Sequence, residues 1–273
     1  MLLFVDWAQI SQYLRAFLIF LLPTATVVSA WKNREIPWSN KEGRKWVALA
    51  QWMILIPVML YCLLLFSRII ELCFLTPHAE EAVRIGFPLK GGIYSISHGG
   101  FSTALNYHYD YPNQTYAIDI VKLNKWGTRK NPFSKPTVPE DYAIYGEPVY
   151  SPVDGTVVKA VDGMGDELKD RLALAKSGNA NMVIIKHRDI YMLLLHLQKG
   201  SLRVKEGDTV KKGQWIANVG NSGYSSEPHL HLHAVKAPDE TNGDFTGPPV
   251  PLLVDGVSLK RNDLIWNGRI IFR

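Results

Sequence analysis

Cysteine is nearly absent from this chain. Its 273 residues hold two, Cys62 and Cys73, too few for a Cys-rich zinc cluster, an iron–sulfur centre or a disulfide framework. Beyond Cys73 there is none, so that stretch is chemically free to fold in a reducing or an oxidising compartment. Charge of one sign is scarce as well. Thirty basic residues against 25 acidic ones leave a formal charge of +5. The basic residues are scattered, with no dense run carrying interleaved aromatics, which argues against a nucleic-acid partner. Only 20 % of residues are charged while 47 % are apolar, a balance that excludes wholesale disorder. There is no internal repeat and no low-complexity tract. There is also no HExxH, so a zincin built on a helical glutamate is excluded. His78-Ala79-Glu80 has the spacing of a deaminase HxE, but the companion PCxxC is missing.

Apolar residues crowd instead into the first quarter. Val47 to Phe66 is uncharged, and Gln51 is its one clearly polar residue. Twenty residues at 1.5 Å each span roughly 30 Å, the thickness of a bilayer core. An earlier stretch, 12–31, is nearly as apolar and contains Arg15 and Pro23. Both are read as transmembrane helices, with Arg15 snorkelling to the interface. Lys32, Arg34, Lys41, Arg44 and Lys45 lie between them, whereas residues 1–14 have no Lys or Arg. The positive-inside rule then puts loop 32–46 in the cytoplasm and both termini outside. A cleaved signal peptide ending at Val28-Ser29-Ala30 is the weaker alternative, because it lacks a basic start. The expected organisation is a multi-pass membrane anchor over 1–70, a stalk over 71–86, and an extracytoplasmic domain over 87–273.

That last region has a different texture. Gly, Pro, Asn and Asp punctuate short runs of Val, Ile, Tyr and Leu, the pattern of an antiparallel, mainly-β fold. Expected strands are 149–151 and 156–161 around Asp154-Gly155, then 182–186 and 191–196 as a hairpin, then 215–219 and 229–235. A polar helical excursion is expected within 162–180. The strongest local signal is His229-Leu230-His231-Leu232-His233. In a strand, alternate residues share a face, so the three imidazoles project together and the two leucines enter the core. Imidazoles at that spacing can converge on one ion, or one can bind it while another faces a ligand.

The surrounding motifs sharpen this. They are GEPVYSPVDGTVV (146–158), NMVIIKH (181–187), YMLLLHL (191–197), GDTVKKGQ (207–214) and GNSGYSSEPHLHLH (220–233). Together they resemble the lysostaphin-type zinc endopeptidases, peptidase family M23, over roughly residues 87–257. The resemblance implies an antiparallel β-domain that binds Zn2+ and cleaves stem or cross-bridge peptides of bacterial peptidoglycan. It implies that His231 and Asp119 ligate zinc and that His196 and His229 are the catalytic imidazoles. The family's first ligand His usually stands four residues before the Asp, where this chain has Thr115. His108, eleven residues ahead, is the expected ligand, with His98 as the alternative. His233 is expected to matter much less, and His187 reads as an exposed hairpin residue. Two other classes compete. A non-catalytic M23-like module would bind the wall or activate another hydrolase. A biotinyl or lipoyl carrier would share VKEGDTVKKGQ but needs a Lys-bearing tripeptide that is absent here.

Overall fold

The computed structural model describes residues 81–168, 180–237 and 245–272, together with 6–11 and single positions between 15 and 64. Among these residues the architecture is mainly β and antiparallel. The strands are β1 (Val83–Ile85), β2 (Ile93–His98), β3 (Ile118–Leu123), β4 (Pro148–Tyr150), β5 (Gly155–Val161), β6 (Met182–His187) and β7 (Ile190–Leu195). There follow β8 (Thr209–Val210), β9 (Trp215–Asn218), β10 (Leu230–Lys236), β11 (Pro249–Val250), β12 (Leu252–Val254), β13 (Leu264–Trp266) and β14 (Arg269–Phe272). Ten of them form one sheet in the order β14-β13-β2-β3-β10-β7-β6-β5-β8, with β11 also paired to β10.

The alternating pattern builds this sheet as expected. Leu230 and Leu232 of β10 are fully buried with Ile118 and Ile120 of β3 and Met192 and Leu194 of β7. Removing these side chains from water is the main stabilising term, at about 25 cal/mol per Å² of apolar surface. The opposite face carries the histidines, and beyond them Val235, Tyr191, Leu193 and Ile184 form a second, smaller apolar cluster. The 182–195 hairpin forms, turning through Arg188 in the left-handed region (φ 55°). The segments around Asp154-Gly155 do not pair with each other. β4 joins β9 and β5 joins β6 and β8, so that turn passes the chain from one sheet to another. Val83–Ile85 pairs in parallel with Leu252–Val254. Residues 162–168 are not helical, and 169–179 lie outside the described residues.

The N-terminal membrane hairpin requires correction. Among the described residues no helix is long and apolar enough to cross a membrane. The spans 12–31 and 47–66 lie mostly, and loop 32–46 wholly, outside those residues. What is described near the N-terminus sits on the β-domain. Trp7–Ile10 is a single helical turn capped by Asp6, whose side chain accepts from the Ala8 N–H. Arg15, expected to snorkel to lipid headgroups, is buried instead. Its guanidinium donates to the Asn262 carbonyl at 2.6 Å and lies 4.7 Å from the centre of the Phe272 ring. The multi-pass localisation and the bilayer as a partner rested on that hairpin and lose their support with it.

Candidate functional site

Strand register assembles the centre of the site. β10 lies between β3 and β7, and His231 is directly opposite Asp119 on one side and Leu195 on the other. Asp119 in turn faces His98 across the β2–β3 pair, next to a register shift at the end of β2. One row of neighbouring strands thus delivers His98, Asp119, His231 and the residue before His196. His196 follows β7 in the left-handed region (φ 62°). A non-glycine residue held there stores strain of the kind that clusters at functional sites.

The glycine-rich turn before β10 is shaped by close approach. A Cβ on Gly220 would lie 2.4 Å from the Gln198 Cα, and Gly223 has φ +73° with the Ala180 backbone 2.6 Å from where its Cβ would be. The turn presents the Ser222 carbonyl to His196 Nδ1 at 2.8 Å, and the Glu227 carbonyl to His229 Nδ1 at 2.9 Å. A carbonyl only accepts, so each Nδ1 is the N–H donor, which leaves each Nε2 for other partners. The two rings are 4.7 Å apart, and His229 Nε2 is 3.7 Å from Asp119 Oδ1.

Asp119 is nearly inaccessible and takes an imidazole on each oxygen. His108 Nε2 lies 2.9 Å from Oδ2 and His231 Nδ1 lies 2.8 Å from Oδ1. Burial alone would raise its pKa, yet His229, His108 and His231 hold the carboxyl well below its usual range. Burial pushes His196 and His233 well down, and His231 down despite Asp119. These three are therefore neutral near pH 7, the form that ligates metal or accepts a proton. Burial is the largest single influence on His108 and lowers it, but the Asp119 charge together with hydrogen bonds to Asp119 and Gln114 makes the net shift upward.

Two donor triads emerge, each with its atoms within 4.8 Å of one another: His108, Asp119 and His231, and His196, His229 and His231. His98 belongs to neither. Its Nδ1 accepts the Tyr107 N–H at 3.2 Å, its ring is 6.0 Å from that of His108, and burial lowers its pKa to about 4. His187 is remote, bonded to the Asp154 carbonyl at 2.6 Å.

One supporting residue escaped the sequence reading. Asn106 is fully buried, its side-chain nitrogen within bonding distance of the Gly100, Thr115 and Ala117 carbonyls, while its oxygen accepts the His108 N–H. It caps the short 3-10 turn Tyr107–Asp110 that carries His108, and an Asn before such a turn is the one signal that was available. His233, expected from the sequence to matter much less, also touches the cluster. Its Nδ1 is 2.9 Å from His231 Nε2.

Comparison with known proteins agrees with this picture. The profile described as Peptidase family M23 matches residues 140–243. Lipoprotein NlpD of Yersinia enterocolitica is 35 % identical over 88 residues, 32 % of this chain and 74 % of that protein. An uncharacterized metalloprotease of Haemophilus influenzae is 35 % identical over 126 residues, 44 % of this chain and 23 % of its own length. Peptidoglycan DD-endopeptidase ShyA of Vibrio cholerae is 32 % identical over 130 residues, 45 % of this chain and 27 % of its own. The chain thus spans about a quarter of the length of these last two relatives. It belongs to peptidase family M23.

Proposed function

We propose that this chain is a zinc metalloendopeptidase acting on the stem or cross-bridge peptides of peptidoglycan. The observation that carries this reading is the meeting of two sets of groups in one cleft. One is a carboxylate with two imidazole nitrogens, and the other is a pair of imidazoles whose Nδ1 atoms are committed to backbone carbonyls, leaving Nε2 for other partners. The relatives named as a metalloprotease and a peptidoglycan endopeptidase support the substrate class.

The first triad fits zinc in its chemistry. Two nitrogens and one carboxylate oxygen are borderline-soft and hard donors of the kind zinc takes, and Asp119 neutralises half of its charge. The three donor atoms lie within 4.8 Å of one another. The second triad lacks a carboxylate. His108, Asp119 and His231 would therefore hold the ion, which when bound supplies Lewis acidity to an amide carbonyl and acidifies water. His196 and His229 present Nε2 to the cleft. An Nε2 lone pair takes up a proton, and a protonated Nε2 donates to the oxyanion that develops on the carbonyl. Their Nδ1 bonds to backbone carbonyls fix ring orientation throughout. With the proton of His231 on Nε2, donated to His233 Nδ1, the Nδ1 lone pair stays available to the ion.

Purified wall incubated with the full chain should release peptides identifiable by mass. His196→Ala and His229→Ala should each keep about one zinc per chain yet lose turnover by about 10² or more. Digestion left intact by both variants would overturn the hydrolase mechanism. Wall that is bound but never cut, by a chain with all five side chains present, would favour the non-catalytic module.

A further inference from the structure

The cleft before the histidines, about 390 Å³, is also lined by Arg129 and Arg261. These two cations stand differently. Arg129 is buried and doubly paired, with Glu227 through Nη1 and with Asp6 through Nη2. Arg261 is only half-buried, yet its Nε is sealed from solvent without a hydrogen-bond partner. Among the described residues its guanidinium has no carboxylate. Burial pulls its pKa down with nothing acidic to counter it, and its charge in turn lowers those of His98 and Arg129. Sequestering an unpaired guanidinium is unfavourable, and its planar fork of donors matches a carboxylate bidentately.

The N-terminal segment shows how a carboxylate reaches this wall. Asp6 and Gln9 line the same cleft. The segment is held there by the Arg129 N–H donating to the Ala8 carbonyl at 2.7 Å and by Ser11 Oγ donating to the Trp126 carbonyl at 3.0 Å. Asp6 thus lies on Arg129 as the acidic residue of a bound peptide would.

We propose that Arg261, together with Arg129, forms a subsite for a carboxylate of the peptide substrate, and that Asp6 is an internal occupant of its Arg129 half. The peptide nature of the ligand rests on the peptidase reading above. The carboxylate preference rests on the arginines. A substrate carboxylate held there anchors the chain beside His229 and discriminates against amidated peptides.

The test is calorimetric binding to the full, zinc-loaded chain carrying His229→Ala. The probes are a peptidoglycan stem tetrapeptide with free carboxylates and the same peptide with every carboxylate amidated. The acid form should bind about 10-fold tighter or more, as a charge-assisted pair implies. Arg261→Gln should bring the two within about twofold by weakening the acid form alone. Arg261→Lys keeps the charge without the fork and should retain a reduced preference, which guards against a folding defect in the first variant. Asp6→Asn removes the carboxylate from Arg129 Nη2, leaving only Glu227 on Nη1, and should tighten the acid form only. Equal binding of the two peptides, or a full preference surviving Arg261→Gln, overturns the subsite. Unchanged binding in Asp6→Asn overturns the part assigned to Asp6 and Arg129. Should the native chain leave wall uncut while the preference holds, the hydrolase reading falls and the subsite stands.

Discussion

The candidate ligands arrive by two routes. Asp119 and His231 come from strands β3 and β10, whose ladder sets them opposite each other although 112 residues separate them in the chain. His108 comes from the short 3-10 turn between β2 and β3, whose N-terminus is capped by the Asn106 side chain. The strand pair is held by the whole hydrophobic sheet, so no single contact sets its geometry. The loop ligand is held by a local polar network, which one substitution can undo. Register positions are robust and loop positions are conditional, and that contrast can be probed.

The largest effects should come from the strand ligands. Asp119→Ala and His231→Ala each remove one of three protein donors and should abolish stoichiometric zinc, measured by elemental analysis after dialysis, along with wall digestion. His108→Ala should lose zinc as fully. If it keeps zinc while His98→Ala loses it, the loop ligand is misassigned. Asn106→Ala comes next and bears most directly on the contrast. It strands buried carbonyls and the His108 N–H, at about 1–3 kcal/mol for each group left unsatisfied. Zinc affinity should fall by about 10-fold or more while the sheet still unfolds cooperatively. Equal zinc affinity in Asn106→Ala and the native chain would show that the loop needs no such support.

A moderate effect is expected at His233. Removing a partner that orients a metal-bound imidazole typically weakens metal binding by about 10–100-fold. His233→Ala should do so, and His233→Gln, which keeps an acceptor, should recover part of the loss. An unaltered zinc affinity in His233→Ala would reduce the contact at 2.9 Å to packing. The smallest effect lies far from the site. Asp141 accepts the Thr137 N–H at 2.7 Å, and these bonds lower its carboxyl pKa. A carboxyl depressed on folding contributes stability above its unfolded pKa and loses it as pH falls through its folded one. Asp141→Asn should therefore lower the melting temperature slightly at pH 7, and the difference should vanish in acid. A constant difference across that range would show that charge is not the cause.

Much of the sheet was legible because its causes are local. The period-two pattern of 229–235 put Leu230 and Leu232 in the core, and both are fully buried there. The 182–196 hairpin was legible because its strands are adjacent in sequence and turn within two residues. Asp154-Gly155 misled, since a tight turn shows that the chain reverses but not which strands it then joins. The N-terminal reading misled for a related reason. Hydropathy counts apolar length, whereas the burial of Arg15 against Asn262 and Phe272 depends on a surface 247 residues away in the chain.

By itself the sequence determined that this is a β-rich domain with three imidazoles along one strand face and an apolar stripe along the other. Side-chain alternation is a property of the extended backbone and needs no partner to be read. The tertiary structure alone decided which groups those imidazoles meet. Asp119 opposite His231, the Ser222 and Glu227 carbonyls on His196 and His229, Asn106 beneath His108, and Asp6 on Arg129 are all set by ladder register and loop closure. Those contacts join segments distant in the chain, and the distances between these donor groups exist only once the sheet has closed.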